Sequence, residues 1–289
     1  MKFGLNIDPH VPFDVLAQRW RTAEELGFDQ LWVADHSRDY RDRANPWFDG
    51  WTVMAAMAER TNSIRIGTLV SNPILRHPVL LAMQAAAVDH LSAGRVELGI
   101  GTGVADFDHE AMGIDYWQPR ERVQRYAEYM QIVDDVLRAD EPYSFEGRHY
   151  RTSGASINPP TPQQPRPPIT VGGQSPTVRR VAAQRADRWN THGPFGKSPD
   201  EIAAITMRQN AEMDEQCAAY GRDPRDVKRS LLLFDALDPW ASPDALERLV
   251  TMFRSVGIEE FVLFWPPDDR IDMLERVASK VIPTLEEDR

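Results

Sequence analysis

Two stretches of this 289-residue chain hold groups suited to chemistry. Asp35-His36 closes a short apolar run, and an imidazole can give or take a proton near neutral pH. Gly172-Gly173-Gln174-Ser175-Pro176 closes another. Two glycines, then Ser and Pro at a helix start, free several backbone N–H groups, and the helix dipole adds partial positive charge there. That turn suits an anion, above all a phosphate. It reads equally as a tight turn with Ser175 as a plain helix cap. His36 reads as a proton carrier or as a rim histidine held by hydrogen bonds, and its place at a strand end favours the first. Asp106 and His109, three residues apart, could join Asp35 and His36 around a metal. However, HEAMG lacks the second histidine of the H-E-x-x-H helix motif, so no metal is expected. Gly99-x-Gly101-x-Gly103 departs from G-x-G-x-x-G and reads as glycines that let a ligand or backbone come close. There is no G-x-S-x-G elbow.

The elements that must position these groups alternate regularly. Residues 64–70 are a β-branched strand ending in the turn Ser71-Asn72-Pro73. Pro78 opens an Ala-rich helix to Leu91, and 95–100 is the next strand. The same pattern gives strands at 2–7, 28–34, 169–171, 187–191, 229–237 and 260–265, each followed by a helical segment. Ser198-Pro199 and Ser242-Pro243 each open a helix, and 271–285 is the last one. Eight strands, each followed by a helix, predict an α/β fold. It is a (β/α)₈ TIM barrel in a single domain spanning 1–289. Residues 104–119 read as a long loop. Residues 141–168, proline-rich and irregular, form an insertion before strand five, with a small hairpin at 143–150.

In such a barrel the carboxyl ends of the strands carry the chemistry. Here they supply Asn6 and Asp8, Asp35 and His36, Ser71 and Asn72, and Gly101, Thr102 and Gly103. Strands five to eight add the Gly172 turn, Thr191 and His192, Asp235 and Trp265. Trp47, Phe48, Trp51, Phe107, Trp117 and Phe195, with Trp265, could wall an apolar substrate pocket. A net charge of -11 argues against a nucleic-acid partner, which needs a basic face. One cysteine, Cys217, suits a reducing compartment, and the first ten residues are too polar for a signal peptide. No window is apolar enough to span a membrane, so the cytoplasm is the expected place.

Three segments, LWVADH, IRIGTLVSNPILRHPVLLAMQAAAVDHLSAGRVELGIGTG and ITVGGQSPTVRRVAAQRADRWN, give the chain a wider likeness. It resembles the bacterial luciferase-like superfamily of flavin- and deazaflavin-dependent oxidoreductases over nearly its whole length. The resemblance implies a barrel that binds coenzyme F420 or FMN. It implies a non-prolyl cis peptide at Leu69-Val70 behind the cofactor ring, and His36 beside that ring. Asn6, Leu69, Val70, Ser71, Asn72, Gly101 and Thr102 would line it, and Gly172, Gly173, Gln174 and Ser175 would take its phosphate. Asp35-His36 and SNPILRHP look more like the deazaflavin-dependent members. The expected activity is therefore hydride transfer between coenzyme F420 and a small organic substrate, with His36 and Asp35 as the catalytic pair. The alternative is a monooxygenase using FMN reduced by a separate reductase, with 104–119 as a lid. A metal-dependent hydrolase using Asp8, His36, Asp106 and His109, or a barrel that only binds its ligand, stand further off. Members are often homodimers. Where sugar-phosphate dehydrogenases of the group carry a catalytic glutamate this chain has Val104, so that reaction is not expected unless Asp106 or His109 substitutes.

Overall fold

The computed structural model describes residues 1–242 and 244–287. Eight parallel strands close into a barrel. They are β1 (Lys2–Asn6), β2 (Gln30–Val33), β3 (Arg65–Thr68), β4 (Val96–Ile100), β7 (Ile169–Gly172), β8 (Arg188–Thr191), β9 (Lys228–Leu233) and β10 (Glu260–Phe264). Around the barrel the order is β1-β10-β9-β8-β7-β4-β3-β2, so every neighbour in sequence is a neighbour in space. Helices α1 (Phe13–Glu25), α2 (Gly50–Arg60), α3 (Pro78–Leu91), α5 (Pro119–Arg138), α6 (Pro176–Arg185), α7 (Pro199–Ala219) and α8 (Ala245–Arg254) wrap it. The last turn of chain runs through α9 (Ile271–Arg276), a π-helical segment Val277–Val281 and α10 (Ile282–Glu287), where 271–285 reads as one plain helix in the sequence.

Local chemistry explains the helix starts. Asp49 accepts from the Thr52 amide at 2.8 Å to cap α2. Ser198 and Glu201 form a reciprocal capping box on α7, which satisfies two otherwise unpaired amides. Proline at the first position of α3, α6 and α7 costs nothing there, because its missing N–H would have no helical partner. The proposed start of α8 at Ser242-Pro243 includes Pro243, which lies outside the described residues.

Three stretches differ from the sequence reading. Residues 104–119 contain a short helix, α4 (Asp106–Met112), ended by Gly113 in the left-handed region at φ 65°. The hairpin is longer than 143–150: β5 (Tyr143–Glu146) pairs antiparallel with β6 (Arg151–Ala155) around Gly147. The Glu128 carboxylate, on α5, accepts the Arg148, His149 and Tyr150 amides and so ties the hairpin down. Finally β9 stops at Leu233 rather than 237, and Asp235 takes a positive φ of 56°.

The barrel lumen is packed, as a barrel of this size requires. At its amino-terminal end Arg188 donates to Glu97 at 2.7 Å and to Glu260 at 2.5 Å, and Arg65 also bonds Glu97. Above this layer Trp32 lies over Gly4 and Gly67, where any side chain would collide with its indole. Burial works to raise the Glu97 carboxyl, but the Arg188 and Arg65 charges outweigh it and hold the carboxyl below the usual range. A folded-state pKa below the unfolded one stabilises fully above the unfolded value, and that stability is lost as pH falls through the folded value. Removing one partner from a buried pair costs about 3–5 kcal/mol. Arg188→Met is therefore expected to lower the unfolding free energy by that amount, read as a lower urea midpoint, and to flatten its acid dependence. An unchanged urea midpoint would contradict the role given to this layer.

Candidate active site at the barrel mouth

The carboxyl ends of β3, β4, β7 and β8 surround a cavity of about 240 Å³. Its floor is Val70. The Leu69-Val70 peptide is cis, and the strand ends there. A Cβ on Gly101 or Gly172 would run into the Val70 methyls, in the second case at 2.9 Å, so both positions must stay without one. Leu69, Ser71, Asn72 and Thr102 complete that wall, and His36, Asn190 and His192 face it from other strands. Ser71 lines the cavity, but its hydroxyl is committed inward, to Thr68 Oγ1 at 2.7 Å and the Trp51 indole N–H at 3.1 Å.

His36 is fixed by a residue the sequence did not single out. Asp108, fully buried on α4, lies 2.7 Å from His36 Nδ1. It also accepts the Ser37 amide at 2.7 Å and the Asn72 side-chain amide at 2.6 Å. Burial pushes the Asp108 carboxyl up, but the donors from His36 and Ser37 outweigh it and keep it below the usual range. An ionised carboxylate only accepts, so Nδ1 carries the proton in neutral His36. Nε2 is then the nitrogen left to the cavity. Trp47 donates its indole N–H to the His36 carbonyl at 2.8 Å, and the Phe107 ring packs 5.4 Å away.

Asp35 does not stand beside His36 in the cavity. Its buried carboxylate is held by Arg76 and accepts the Asn72 amide at 2.9 Å. It fixes the exit of β3 and does not line the cavity. Asp8, Asp35, His36, Asp106 and His109, the residues considered for a metal, form no such cluster, and among the described residues there is no group of three or more His, Cys, Asp or Glu side chains that could hold one. Asp8 accepts from Asn6, Tyr40 and Arg41. Asp106 is exposed, and both ring nitrogens of His109 are taken, by the Ala105 carbonyl and the Trp117 amide. His109 thus has no free nitrogen to offer in place of a glutamate at Val104, and neither it nor Asp106 lines the cavity.

The double-glycine turn opens onto the same cavity. Gly173 has φ 139°, a conformation that suits glycine, and Gly172 and Gly173 line the wall. Ser175 caps α6 by accepting the Val178 amide, so the cap reading holds. The anion reading is compatible with it, because the Gln174, Ser175 and Thr177 amides have no partner among the described residues. Gln174 itself turns sideways, donating to the Gly193 carbonyl at 2.7 Å. Buried Arg179 bonds the Gln174 carbonyl from below, its own charge met by the Glu212 carboxylate.

A second, wider chamber of about 630 Å³ adjoins this one at the ends of β1, β9 and β10. Asn6 lines it, and its side-chain oxygen is buried without a partner among the described residues. His192 of the first cavity packs on Phe234 of the wide chamber at 6.2 Å, so aromatic rings join the two. The aromatic residues expected to wall one pocket scatter instead. Trp265 lines the wide chamber, Phe195 packs on His192 at 5.1 Å, Trp117 lies against His109, and Phe48 against Phe13. Phe234, Trp240 and Phe264, not foreseen, take their place.

A flat ring needs an apolar floor without side chains beneath it, and an anionic tail needs free amides. Val70 over its glycines and the Gln174–Thr177 amides meet both needs, so the residues fit a phosphorylated flavin-type cofactor.

Comparisons with known proteins agree in kind. Over 212 residues, 72% of this chain, it is 34% identical to an F420-dependent glucose-6-phosphate dehydrogenase of Amycolatopsis mediterranei. That match covers 61% of the relative, less than two thirds of its length. A second enzyme of that name, from Intrasporangium calvum, is 27% identical over 91% of this chain and 92% of its own. The solved structure of an F420-dependent secondary alcohol dehydrogenase with an F420-acetone adduct superposes with a TM-score of 0.86. It is 18% identical and 98% of each chain is covered, which shows the shared fold. The family model for luciferase-like monooxygenases matches residues 1–268, and the chain belongs to that family.

Proposed function

We propose that this oxidoreductase transfers hydride between coenzyme F420 and a small organic substrate, in the cytoplasm. The observation that carries the reading is the cavity itself: a Val70 floor, His36 at its side and an amide-lined glycine turn at its edge. The F420-dependent relatives favour this cofactor over FMN. Leu69, Val70, Gly101 and Thr102 would hold the ring, Asn72 would offer it a polar contact, and Gly172–Ser175 would take its phosphate, while Asn6 lines the adjoining wide chamber rather than the ring cavity. When bound, the deazaflavin supplies a ring carbon that accepts or releases hydride. His36 Nε2 moves the accompanying proton, held in orientation through Nδ1 by Asp108. The walls orient the substrate and keep water out, and Asp35 with Arg76 keeps Asn72 in position.

The second reading, an FMN monooxygenase fed by a reductase, draws on the family description. Binding titrations with F420 and FMN, followed by ultraviolet-visible spectra, separate the two. The F420 reading expects tighter binding of F420 and, with reduced FMN and O₂, no oxygenated product beyond the uncatalysed oxidation of the flavin. Incorporation of an oxygen atom from labelled O₂ into an organic substrate with reduced FMN would decide for the monooxygenase.

The proposal includes a homodimer. Leu80, Met83, Ala87 and Leu91 form an exposed, uncharged stripe on the outer face of α3, opposite the buried Leu81, Ala82, Ala85 and Val88. A second apolar stripe on a helix already packed by its first is ordinarily covered. A self-complementary patch of this kind suits a second copy of the chain. Met83→Glu is expected to shift the protein from dimer to monomer in sedimentation velocity. A wild-type monomer at micromolar concentration would contradict the assignment.

A further inference from the structure

The wide chamber differs from the cofactor cavity in its charges. Three guanidiniums reach it, from Arg19, Arg41 and Arg270. Each already faces a carboxylate: Arg41 lies 2.6 Å from Asp8, Arg270 2.9 Å from Asp238, and Arg19 3.6 Å from Asp268. Asp235 adds a fourth carboxylate with no guanidinium of its own in the lining. Burial lowers the His10 pKa, so His10 adds no positive charge at neutral pH. An incoming phosphate or carboxylate would meet a wall of slight negative charge, and would have to displace a carboxylate to gain a cation.

The remaining surface is aromatic and apolar. Phe234 and Phe264 pack 5.5 Å apart, and Trp240 and Trp265 face the same space, with Val11 and Leu237 beside them. Against this the chamber offers two buried polar atoms without a partner among the described residues, the Asn6 side-chain oxygen, on a residue only 2% exposed, and His10 Nδ1. A buried acceptor left unpaired is costly, and a ligand hydroxyl or N–H would satisfy it.

We propose that the wide chamber binds an uncharged substrate with a flat aromatic or alicyclic body and a hydroxyl for the unpaired Asn6 oxygen, and excludes sugar phosphates. The inference rests on the hydride-transfer reading for what the substrate undergoes, but its binding preference is tested on its own. Cyclic neutral alcohols fill the aromatic walls and leave each arginine on its carboxylate. A sugar phosphate such as the one named for the Amycolatopsis relative brings charge that nothing here is free to receive.

The test is calorimetric titration of the full chain, loaded with F420 and unloaded, using 1-phenylethanol, 1-indanol, glucose 6-phosphate and inorganic phosphate. The neutral alcohols are expected to bind at least about tenfold more tightly than glucose 6-phosphate, a difference of about 1.4 kcal/mol. Asp238→Asn, which frees Arg270, is expected to gain about tenfold in phosphate affinity, and to lose that gain at high salt. Trp265→Phe should keep alcohol binding, and Trp265→Ala should weaken it about tenfold with an unchanged melting curve. The inference is overturned if neither alcohol binds the loaded protein, if glucose 6-phosphate binds more tightly, or if Asp238→Asn leaves phosphate binding unchanged. Failure of F420 to bind at the outset is a separate result, and it counts against the hydride-transfer reading alone.

Discussion

Replacing His36 with glutamine is expected to lower kcat by about 10²–10⁴-fold, the usual worth of a positioned acid or base. Cofactor affinity should stay within about threefold, because the floor and the glycine turn are untouched, and contributions from independent sites add. Glutamine keeps a donor toward Asp108 but cannot shuttle a proton. The rate loss should therefore fall on the reaction step, with KM nearly constant, and pre-steady-state traces should show slow reduction of fully bound cofactor. If kcat survives while cofactor affinity collapses, His36 is a binding residue and the proton route lies elsewhere.

Asp108→Asn should be nearly as damaging, although Asp108 does not line the cavity. One carboxylate serves three donors, from His36, Ser37 and Asn72, and so couples the exits of β2 and β3 to α4. An asparagine has one acceptor oxygen where the aspartate has two, so at least one donor is abandoned in a buried site. A misplacement of about 1 Å at a catalytic group can cost roughly 10²-fold, and kcat is expected to fall by that much. Asp108→Glu should recover part of it. A purely structural role would instead lower the melting temperature and leave kcat of the folded fraction intact, so the two readouts are taken together.

Much of the barrel was legible because its signals are local. β-branched runs, prolines at helix starts and serine or aspartate caps act within a few residues, and they position β3, α3, β4 and α7 close to where they are found. The cis peptide at Leu69-Val70 and the cavity residues around it came through family likeness rather than through any local rule. Asp108 escaped notice because its partner is 72 residues away, and because α4 is too short to show a clear period. The residues noticed there, Asp106 and His109, flank it: the helix turns Asp106 to solvent and buries His109. Asp35 was paired with His36 by adjacency, yet neighbours leaving a strand point to opposite sides. One therefore faces the cavity and the other faces Arg76. The charge pairing of the wide chamber was equally invisible, since Asp8 meets Arg41 and Asp238 meets Arg270 only through closure of the barrel.

The most direct measurement is a crystal structure of the protein with F420. The account predicts the deazaflavin ring lying on Val70, within hydrogen-bonding distance of His36 or separated from it only by substrate, with the phosphate on the Gln174–Thr177 amides. A ring seated elsewhere, or a phosphate away from that turn, would contradict it.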